Sequence, residues 1–593
     1  MAETATLDWS DEAGPRSRRF DDVYFSKEGG LEESRAVFLT GCGLPGAWQE
    51  RSRFTVGELG FGTGLNVLAL LDLWRCTRPP GGRLHIFSIE AFPLSREDAA
   101  RALEAWPGLA DLAAQLIRRW PTAEGFHRIE FAGLCASLDL AVMEAAEALE
   151  SWSGQAGAWF LDGFSPARNP QMWRQEVLDL VAARSEPGAR AATFTVAGSV
   201  RRNLEAAGFA IERRPGFGRK AERLEATFGG ATASDPAPPR VAIVGEGIAG
   251  AALARAFAAH GCAPLVISGD SIAASGNPAA LVSPRFDAGG GVMARLHSQA
   301  FGRAVALYEE IREAVIARGA LQLEATERDA RRFDTVAASP LFEPGSLQRL
   351  DPDGAGGRLG EPRREGGLWI AEGLTVEPRP ILDAWLGGAR RLHAEVGALG
   401  RSTDGWEILG RDGELLASAD IVCLAAGHGS KALRPELELE PVRGQASFLD
   451  WPERPQAAAW GGYLIPTRTG LLFGATHDRG RDDVEVLAQD HARTLRTLAE
   501  ARPGLAGALA GHALEGRAAL RASTPDRAPL AAEFEPGLIL LTGLGGRGFT
   551  LAPLLAEHLA AGAVGAPSPL PRPIAVAVGR RTFKMTGRTR AIN

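Results

Sequence analysis

The residues of this 593-residue chain whose types and spacing could do chemistry begin with an acidic, glycine-rich turn, Glu58-x-Gly60-x-Gly62-x-Gly64. The turn follows a short β-branched run and precedes a helical pattern, and its glycines let backbone N–H groups approach a ligand closely. A second acid, Glu90, ends the next apolar run, where a carboxylate suits the two hydroxyls of a ribose. The pattern predicts a nucleoside cofactor site; the alternative is a tight turn beside a solvated acid.

Asp162 ends a further apolar run and is followed by Gly163 and Phe164. In a doubly wound sheet, ligands bind at the carboxyl ends of the strands, so Asp162 is predicted to face the same cofactor. A carboxylate there could take a proton from an attacking amine or orient its lone pair, and Phe164 could stack on a base. The alternatives are a helix cap for Asp162 and core packing for Phe164. The whole layout resembles that of S-adenosylmethionine-dependent methyltransferases.

A second glycine-rich turn, Gly245-x-Gly247-x-x-Gly250, has the dinucleotide spacing, with a pyrophosphate expected at the following helix N-terminus. Alone it is a weak signal, because each glycine cluster could be an ordinary turn. Further segments in the right order along the chain strengthen the prediction of a bound FAD, and their candidate residues are Ser275, Gly276, Asn277, Gly427, Gly545, Arg547 and Gly548.

Arg521-x-x-Thr524-x-Asp526 resembles the segment by which glycine and sarcosine oxidase-like flavoproteins hold a substrate carboxylate. A guanidinium fork matches the two oxygens of a carboxylate, and Tyr463 could add a hydrogen bond. The alternatives are a structural ion pair between Arg521 and Asp526 and a partly buried core tyrosine. Together these segments resemble an FAD-dependent amine oxidase of the D-amino acid oxidase type.

The elements that must position these residues alternate along the first part of the chain. Apolar runs predict strands over Phe54–Glu58, Leu84–Glu90, Ala158–Asp162 and Ala191–Thr195, and helical patterns fall at Leu65–Trp74, Arg96–Trp106 and Gln175–Ala183. The alternation predicts an α/β chain with an N-terminal doubly wound methyltransferase fold. The Pro-rich segment 229–239 is the clear linker. It predicts a first domain over residues 1–230, a linker over 231–239, and an FAD-binding Rossmann domain with an interleaved α+β substrate domain over 240–593.

Composition narrows the class of protein. A net charge of -7 argues against indiscriminate nucleic-acid binding, although a local basic face could still bind it. The five cysteines are scattered without paired spacing, which argues against a zinc site or a disulfide framework and fits a reducing cytoplasm. No run approaches the length of a membrane span. We therefore expect a cytoplasmic, metal-free protein, with a monomer as the default.

Motifs along nearly the whole chain resemble the MnmC family, the bifunctional tRNA 5-methylaminomethyl-2-thiouridine biosynthesis proteins. One departure is Met143-Glu144, where the family pattern looks like Gly-Asp, so that Glu144 occupies the adenine-contact position. Besides the turns above, the motifs are Asp21-Asp-Val-Tyr24-Phe25, Gly30-Leu-Glu-Glu-Ser-Arg-x-Val-Phe-Leu, Trp159-Phe-Leu-Asp162-Gly-Phe-x-Pro-Ala, Gly216-Phe-Gly-Arg-Lys220, Pro441-Val-Arg443-Gly-Gln445 and Gly462-Tyr463-Leu-x-Pro466.

The resemblance implies two reactions on the wobble uridine of a tRNA. FAD would oxidise a carboxymethylaminomethyl group, whose hydrolysis would release glyoxylate and leave an aminomethyl group. S-adenosyl-L-methionine would then methylate that amine. Basic residues near the domain boundary and in the C-terminal tail would contact tRNA phosphates. The candidate tRNA contacts are Phe164, Arg168, Arg219, Lys220, Arg580, Arg581 and Lys584.

Two other functions fit the same residues. One is a fusion of an N-methyltransferase with a glycine or sarcosine oxidase that acts on free amino acids. The other is a flavin-bound tRNA-binding or scaffold protein whose methyltransferase half is inactive. The joint presence of Glu58, Glu90 and Asp162 argues against the scaffold. Salt-sensitive binding of tRNA would separate the first alternative from the family function.

Overall fold

A computed structural model describes residues 4–10, 14–25, 29–218, 221–231, 235–270 and 273–581. The first part of the chain forms one eight-stranded sheet with helices on both faces, beside a small sheet of Leu7–Asp8, Arg16–Ser17 and Asp22–Val23. In spatial order the eight strands are Phe209–Pro215, Glu222–Phe228, Ser185–Thr193, Ala156–Leu161, Arg53–Leu59, Arg83–Glu90, Ala136–Val142 and Gly125–Phe131. The helices are Gly30–Glu33 with its π-helical continuation Ser34–Leu39, then Leu65–Thr77, Arg96–Leu103, Ala110–Arg118, Ala145–Ser151, Gln175–Ala183 and Gly198–Ala206.

The order of the strands fixes where a ligand can bind. The chain proceeds from the central strand Arg53–Leu59 to the parallel strand Arg83–Glu90 on one side, then returns to the parallel strand Ala156–Leu161 on the other. The strand order therefore reverses at this centre, and in doubly wound sheets the crevice at such a switch point binds the ligand. The Gly60–Gly64 turn and Asp162 follow the two strands that border this crevice.

The sequence predicted these central strands, and the structure confirms them with small changes at their ends. The predicted helix over Arg96–Trp106 is too long, because the observed helix ends at Leu103. Pro107 explains the early end, since a residue before proline is driven out of the helical region. Trp106 accordingly has φ -123° and ψ 77°.

The second part of the chain holds a six-stranded sheet and a ten-stranded sheet. The six strands are, in spatial order, Arg390–His393, Leu265–Ser268, Val241–Val244, Ile421–Leu424, Leu538–Thr542 and Leu530–Glu535, all parallel except the last. The ten-stranded sheet contains Ala280–Val282, Gly367–Val376, Val315–Leu323, Ala458–Ala459, Tyr463–Pro466, Gly470–Gly474, Glu440–Asp450 and Asp478–Arg479, with Leu347–Leu350 and Glu515–Ser523 paired beside that path. A three-stranded sheet comprises Val396–Ser402, Gly405–Gly410 and Leu415–Ala419.

Helices cover both of these larger sheets. They are Ile248–Ala259, Val292–Tyr308, Glu327–Ala337, Pro352–Leu359, Pro378–Leu386, Ser430–Leu433, Ala488–Ala501, Pro503–Leu509, Gly548–Val564 and Arg572–Val578. Short 3-10 turns occur at Gly46–Trp48, Pro107–Leu109, Ala132–Leu134, Pro170–Trp173, Arg312–Ala314 and Gly427–Gly429. Across the ranges that the structure describes, no helix is long and apolar enough to span a bilayer.

A buried cluster of charges joins the two parts of the chain. Glu130, on a strand of the first sheet, faces Arg255 and Arg303, which lie on helices of the second part. Glu557 bonds to both arginines, with Arg303 Nη2 to Glu557 Oε1 at 2.6 Å and Arg255 Nη1 to the same oxygen at 2.7 Å. The arginines hold the pKa of Glu557 down to about 2 against the effect of burial. Because an unpaired charge would be costly here, these residues favour one docking of the two parts.

Asp235, in the segment 229–239 predicted as the linker, is bound to the first part of the chain. Asp235 accepts hydrogen bonds from the backbone N–H groups of Ser52 at 2.7 Å and Arg53 at 2.9 Å. The guanidinium of Arg51 also reaches Asp235, at 3.2 Å. Asp235 is therefore held at the start of the strand Arg53–Leu59.

Candidate active sites

A cavity of about 1100 Å³ lies at the switch point of the first sheet. The Gly60–Gly64 turn, Glu90 and Asp162 all line it, so the structure brings these predicted residues together. Gly60 has φ +83°, and a Cβ there would lie 3.0 Å from the carbonyl oxygen of Asp162. The backbone thus needs glycine to reach the cavity, as a turn that cradles a ligand requires.

The two glutamates of the first motif have different positions. Glu90 borders the cavity, where its carboxylate accepts hydrogen bonds from Gly62 N at 2.9 Å and Phe92 N at 3.0 Å. Glu58 lies beneath the turn, 1% exposed, and accepts a hydrogen bond from Ser88 Oγ. Burial, with the nearby charge of Asp162, raises the pKa of Glu58 to about 8. Glu58 therefore supports the turn from below and does not line the cavity.

Asp162 is held with its carboxylate at the cavity wall. Asn66 Nδ2 donates to Asp162 Oδ2 at 2.8 Å, and the Gly163 N–H donates to Oδ1 at 2.7 Å. Asn66 stands at the start of the helix that follows the glycine turn, and no sequence pattern singled it out. Each carboxylate oxygen therefore accepts one hydrogen bond, and the two bonds fix the orientation of the carboxylate at the cavity wall.

Aromatic rings surround the mouth of the same cavity. Phe164 stacks on Phe20 with ring centroids 4.8 Å apart and meets Tyr24 edge-on at 5.1 Å. Arg168, on the following loop, forms an ion pair with Asp21 at 3.0 Å and stays half-exposed. Phe164 therefore packs within an aromatic cluster and also lines the cavity.

Glu144, at the position of the family's adenine contact, caps a helix. Its carboxylate accepts hydrogen bonds from Ala146 N at 2.8 Å and Glu147 N at 3.3 Å. Its other oxygen pairs with Arg174 at 3.1 Å. Glu144 lines the cavity, but most of its hydrogen-bonding capacity is used by these partners.

The second glycine-rich turn leaves no room for a side chain at Gly245 or Gly250. Gly245 has φ +105°, and a Cβ on Gly250 would lie 1.9 Å from the Gly245 carbonyl oxygen. The turn joins the central strand Val241–Val244 to the helix Ile248–Ala259, as in a dinucleotide-binding unit. Gly247 is the N-cap of that helix. This cradle of backbone fits a pyrophosphate.

The remaining predicted flavin contacts surround this turn. Ser275 Oγ accepts a hydrogen bond from Ile248 N at 3.0 Å, which brings the Ser275–Asn277 segment to the helix N-terminus. Arg517 holds the same segment by donating to Asn277 Oδ1 at 3.1 Å and to the Ala273 carbonyl. Arg517 was not predicted from the sequence, although it lies on the same strand as Arg521.

Two further flavin candidates use their polar groups within the protein. The carbonyl of Gly427, which follows the strand Ile421–Leu424, accepts a hydrogen bond from Thr542 Oγ1 at 3.0 Å. The Arg547 guanidinium donates to the Ser283 carbonyl at 2.9 Å, so its side chain is directed to the backbone. Burial and the charge of Arg285 lower the pKa of Arg547 to about 10. Gly545 and Gly548, from the same turn, lead into the helix Gly548–Val564.

Arg521 lies on the strand Glu515–Ser523, with its guanidinium over Gly444, where a Cβ would be 2.3 Å from Nη2. In the described part of the chain, no carboxylate forms an ion pair with it. Asp526, the partner that the structural alternative required, bonds instead to Arg581 at 2.7 Å. Tyr463 lies close enough for the charge of Arg521 to act on its pKa, which burial raises. The cation and the phenol therefore lie near each other.

The predicted tRNA contacts at the C-terminus have internal partners. Arg581 donates to Asp526 and to the backbone carbonyls of Ala528 and Pro529, so it anchors this segment. Arg580 donates to the Phe534 carbonyl at 2.9 Å and stacks over that ring at 4.3 Å. The other basic candidates of this set, Arg219, Lys220 and Lys584, lie outside the described residues.

Comparisons with known proteins agree with this geometry. Residues 107–228 match the model of an S-adenosyl-L-methionine-dependent methyltransferase family, and residues 240–561 match that of an FAD-dependent oxidoreductase family. The tRNA 5-methylaminomethyl-2-thiouridine biosynthesis bifunctional protein MnmC of Caulobacter sp. (strain K31) is 55% identical to this chain, covering 99% of each. The MnmC of Caulobacter vibrioides is 57% identical over 95% of each. This chain belongs to the MnmC family.

As a member of the MnmC family, the chain is a bifunctional enzyme whose cofactors are S-adenosyl-L-methionine and FAD. The fold of the second part is similar to that of glycine oxidase from Geobacillus kaustophilus, with a TM-score of 0.51 and 22% identity, over 58% of this chain and 99% of that one. The expected fold class, a methyltransferase fold followed by a D-amino acid oxidase-like FAD domain, is confirmed.

Proposed function

We propose that this MnmC-family chain performs two successive steps on the wobble uridine of a tRNA. The first is FAD-dependent oxidative removal of the carboxymethyl group from 5-carboxymethylaminomethyl-(2-thio)uridine, which gives 5-aminomethyl-(2-thio)uridine. The second is N-methylation of that amine by S-adenosyl-L-methionine, which gives 5-methylaminomethyl-(2-thio)uridine. Residues 1–230 would carry the methyltransferase and residues 240–593 the oxidoreductase.

The observation that carries the proposal is the environment of Arg521. Its guanidinium has no acidic partner among the residues that the structure describes, because Arg581 occupies Asp526. The carboxymethylamino group is an N-substituted glycine and ends in a carboxylate that a guanidinium fork fits. Tyr463 would add a hydrogen bond to the same carboxylate. When bound, FAD would accept a hydride from the glycine carbon that these residues hold in place.

In the first domain, the residues would act on the amine that the oxidation leaves. Asp162, oriented by Asn66, would accept a proton from the amine or align its lone pair. Glu90 would bind the ribose diol of the methyl donor, and the backbone of the Gly60–Gly64 turn would lie against the donor. The donor supplies the methyl group, and Phe164 with Tyr24 would enclose the target nucleobase.

We also propose that this protein works as a monomer in the cytoplasm. It would need no metal, since the two organic cofactors supply both reactions. The five cysteines, none of them disulfide-bonded, support a reducing compartment. Arg168, half-exposed on the loop that follows Phe164, is the described basic candidate that we propose to contact tRNA.

Nucleoside analysis by mass spectrometry tests the proposal. The purified protein is incubated with tRNA bearing carboxymethylaminomethyluridine, with and without S-adenosyl-L-methionine. We expect aminomethyluridine without the methyl donor and methylaminomethyluridine with it. An unchanged nucleoside in the presence of bound flavin, together with oxidation of free glycine or sarcosine, would show that the enzyme acts on amino acids instead.

A further inference from the structure

The methyl-donor cavity is not built by the first domain alone. Arg295, which lies in the first turn of the helix Val292–Tyr308, lines the same cavity as Glu90 and Asp162. This helix belongs to the part of the chain that matches the FAD-dependent oxidoreductase family. Arg295 faces Glu124, also a lining residue, with 3.8 Å between Arg295 Nη1 and Glu124 Oε2. That separation exceeds a hydrogen bond, so both groups keep hydrogen-bonding capacity.

The sheet register places this pair at one end of the cavity. Glu90 lies opposite Val142, and Val142 lies opposite Gly125, the residue after Glu124. The strand that begins beside Glu124 is therefore two strand spacings, about 10 Å, from the strand that bears Glu90. Asp162 follows a strand two spacings away in the opposite direction. With the ribose at Glu90 and the methyl group at Asp162, the base must extend toward Glu124.

The predicted adenine contact at that end of the cavity already has partners within the protein. Glu144, the nearest predicted contact, is held by the N–H groups of its own helix and by Arg174. Glu124, in contrast, accepts no hydrogen bond at its carboxylate from the described residues, and its side chain is 35% exposed. Its backbone is fixed, because the Glu124 N–H donates to the Pro340 carbonyl at 2.8 Å across the domain contact.

We propose that Glu124 and Arg295 together recognise the adenine of the methyl donor, so that the oxidoreductase domain completes the methyltransferase site. One edge of adenine presents an amino donor beside an acceptor nitrogen. A carboxylate beside a guanidinium presents the complementary acceptor and donor. The inference rests on the proposed function, since it assumes that the cavity binds S-adenosyl-L-methionine.

Isothermal titration calorimetry on the full-length, FAD-loaded protein tests this assignment without measuring activity. The probes are S-adenosylhomocysteine and S-inosylhomocysteine, whose hypoxanthine base reverses the donor and acceptor on that edge. The native protein should bind the adenosyl compound more tightly by about tenfold or more, because the inosyl base would set an acceptor against the Glu124 carboxylate and a donor against the Arg295 guanidinium. Arg295→Ala should weaken adenosyl binding by about fivefold.

Glu124→Gln gives the sharper result, because the glutamine amide can turn to donate to the hypoxanthine oxygen. We expect this variant to bind the inosyl compound more tightly than the native protein does, while its affinity for the adenosyl compound falls. Arg119→Ala is the matched control, since it removes another ion pair of the domain contact, with Glu309 at 2.8 Å, that does not line the cavity. It should leave both affinities unchanged.

The outcomes distinguish a failure of the proposed function from a failure of the adenine assignment. If the native protein binds neither compound, the methyltransferase part of the proposed function fails. If it binds both normally and the Arg295 and Glu124 variants keep the native ratio of affinities, the function stands and the adenine assignment is wrong. A loss of affinity in Arg119→Ala equal to that in Arg295→Ala would attribute the effect to domain docking and would also overturn it.

Discussion

Replacing Arg521 should separate binding of the substrate carboxylate from every other part of the oxidation. A guanidinium that holds a carboxylate through two charge-assisted hydrogen bonds contributes about 1.5–3 kcal/mol for each. Arg521→Met, which keeps an unbranched apolar stem and loses both bonds, should therefore lower kcat/KM for the carboxymethylaminomethyl tRNA by about 10²- to 10⁴-fold. Arg521→Lys keeps the charge and loses the fork, so its loss should be smaller, near tenfold.

The measurement is the rate of flavin reduction, followed by absorbance in the absence of oxygen over a range of tRNA concentrations. Each variant must first be shown to carry a full complement of FAD, because Arg517 on the same strand holds the segment beside the flavin turn. Arg411→Met is the control, since Arg411 is exposed on the separate three-stranded sheet and pairs with Glu395. Retention of kcat/KM within fivefold of the native value in flavin-loaded Arg521→Met would refute the assignment.

Three other predictions follow from the first domain and the domain contact. Asp162→Asn should reduce the methylation rate by about 10²-fold or more, while calorimetry shows S-adenosylhomocysteine binding retained. The pKa of Glu58 is raised by burial from 4.5 to about 8, so its stabilising effect is complete below pH 4.5 and lost as the pH rises toward 8. Urea unfolding of the native protein should therefore show the free energy of unfolding fall by about 5 kcal/mol over this pH range, and Glu58→Gln should not show this fall. Parallel pH profiles of the native protein and the variant would contradict the prediction. Glu557→Gln should cost about 3–5 kcal/mol because it leaves buried Arg303 under-compensated, whereas Glu309→Gln at the more exposed contact should cost about 1 kcal/mol or less in the same assay.

The sequence predicted those site residues that a local pattern marks. The two glycine turns are required by backbone geometry that only glycine adopts, and Glu90 and Asp162 end apolar runs that become the two parallel strands on either side of Arg53–Leu59. In such cases the chemistry and the element that positions it lie within a few residues of each other. This is why the first cavity could be anticipated, while its volume and full lining could not.

What the sequence did not reveal depends on contacts between distant segments. Asn66 orients Asp162 across 96 residues of chain, and Arg517 reaches Asn277 across 240. The basic residues at the C-terminus predict phosphate contacts, but among those that the structure describes Arg581 folds back onto Asp526. The sequence does not show which group a charged side chain will contact. Only the tertiary structure decides whether a guanidinium faces a ligand or an acid.

Two helices of the second part of the chain connect the buried charge cluster of Glu130, Arg255, Arg303 and Glu557 to the two proposed cofactor sites. The helix Val292–Tyr308 carries Arg295 at the methyl-donor cavity and Arg303 in the cluster, eight residues or about 12 Å apart along its axis. The helix Gly548–Val564 begins at the flavin turn and carries Glu557 to the same cluster, about 13 Å further along. A buried carboxylate between two arginines tolerates little displacement. The cluster therefore fixes the position of the N-terminus of one helix relative to that of the other. The domain contact therefore does more than link two enzymes, since it fixes a residue of one domain in the cofactor cavity of the other.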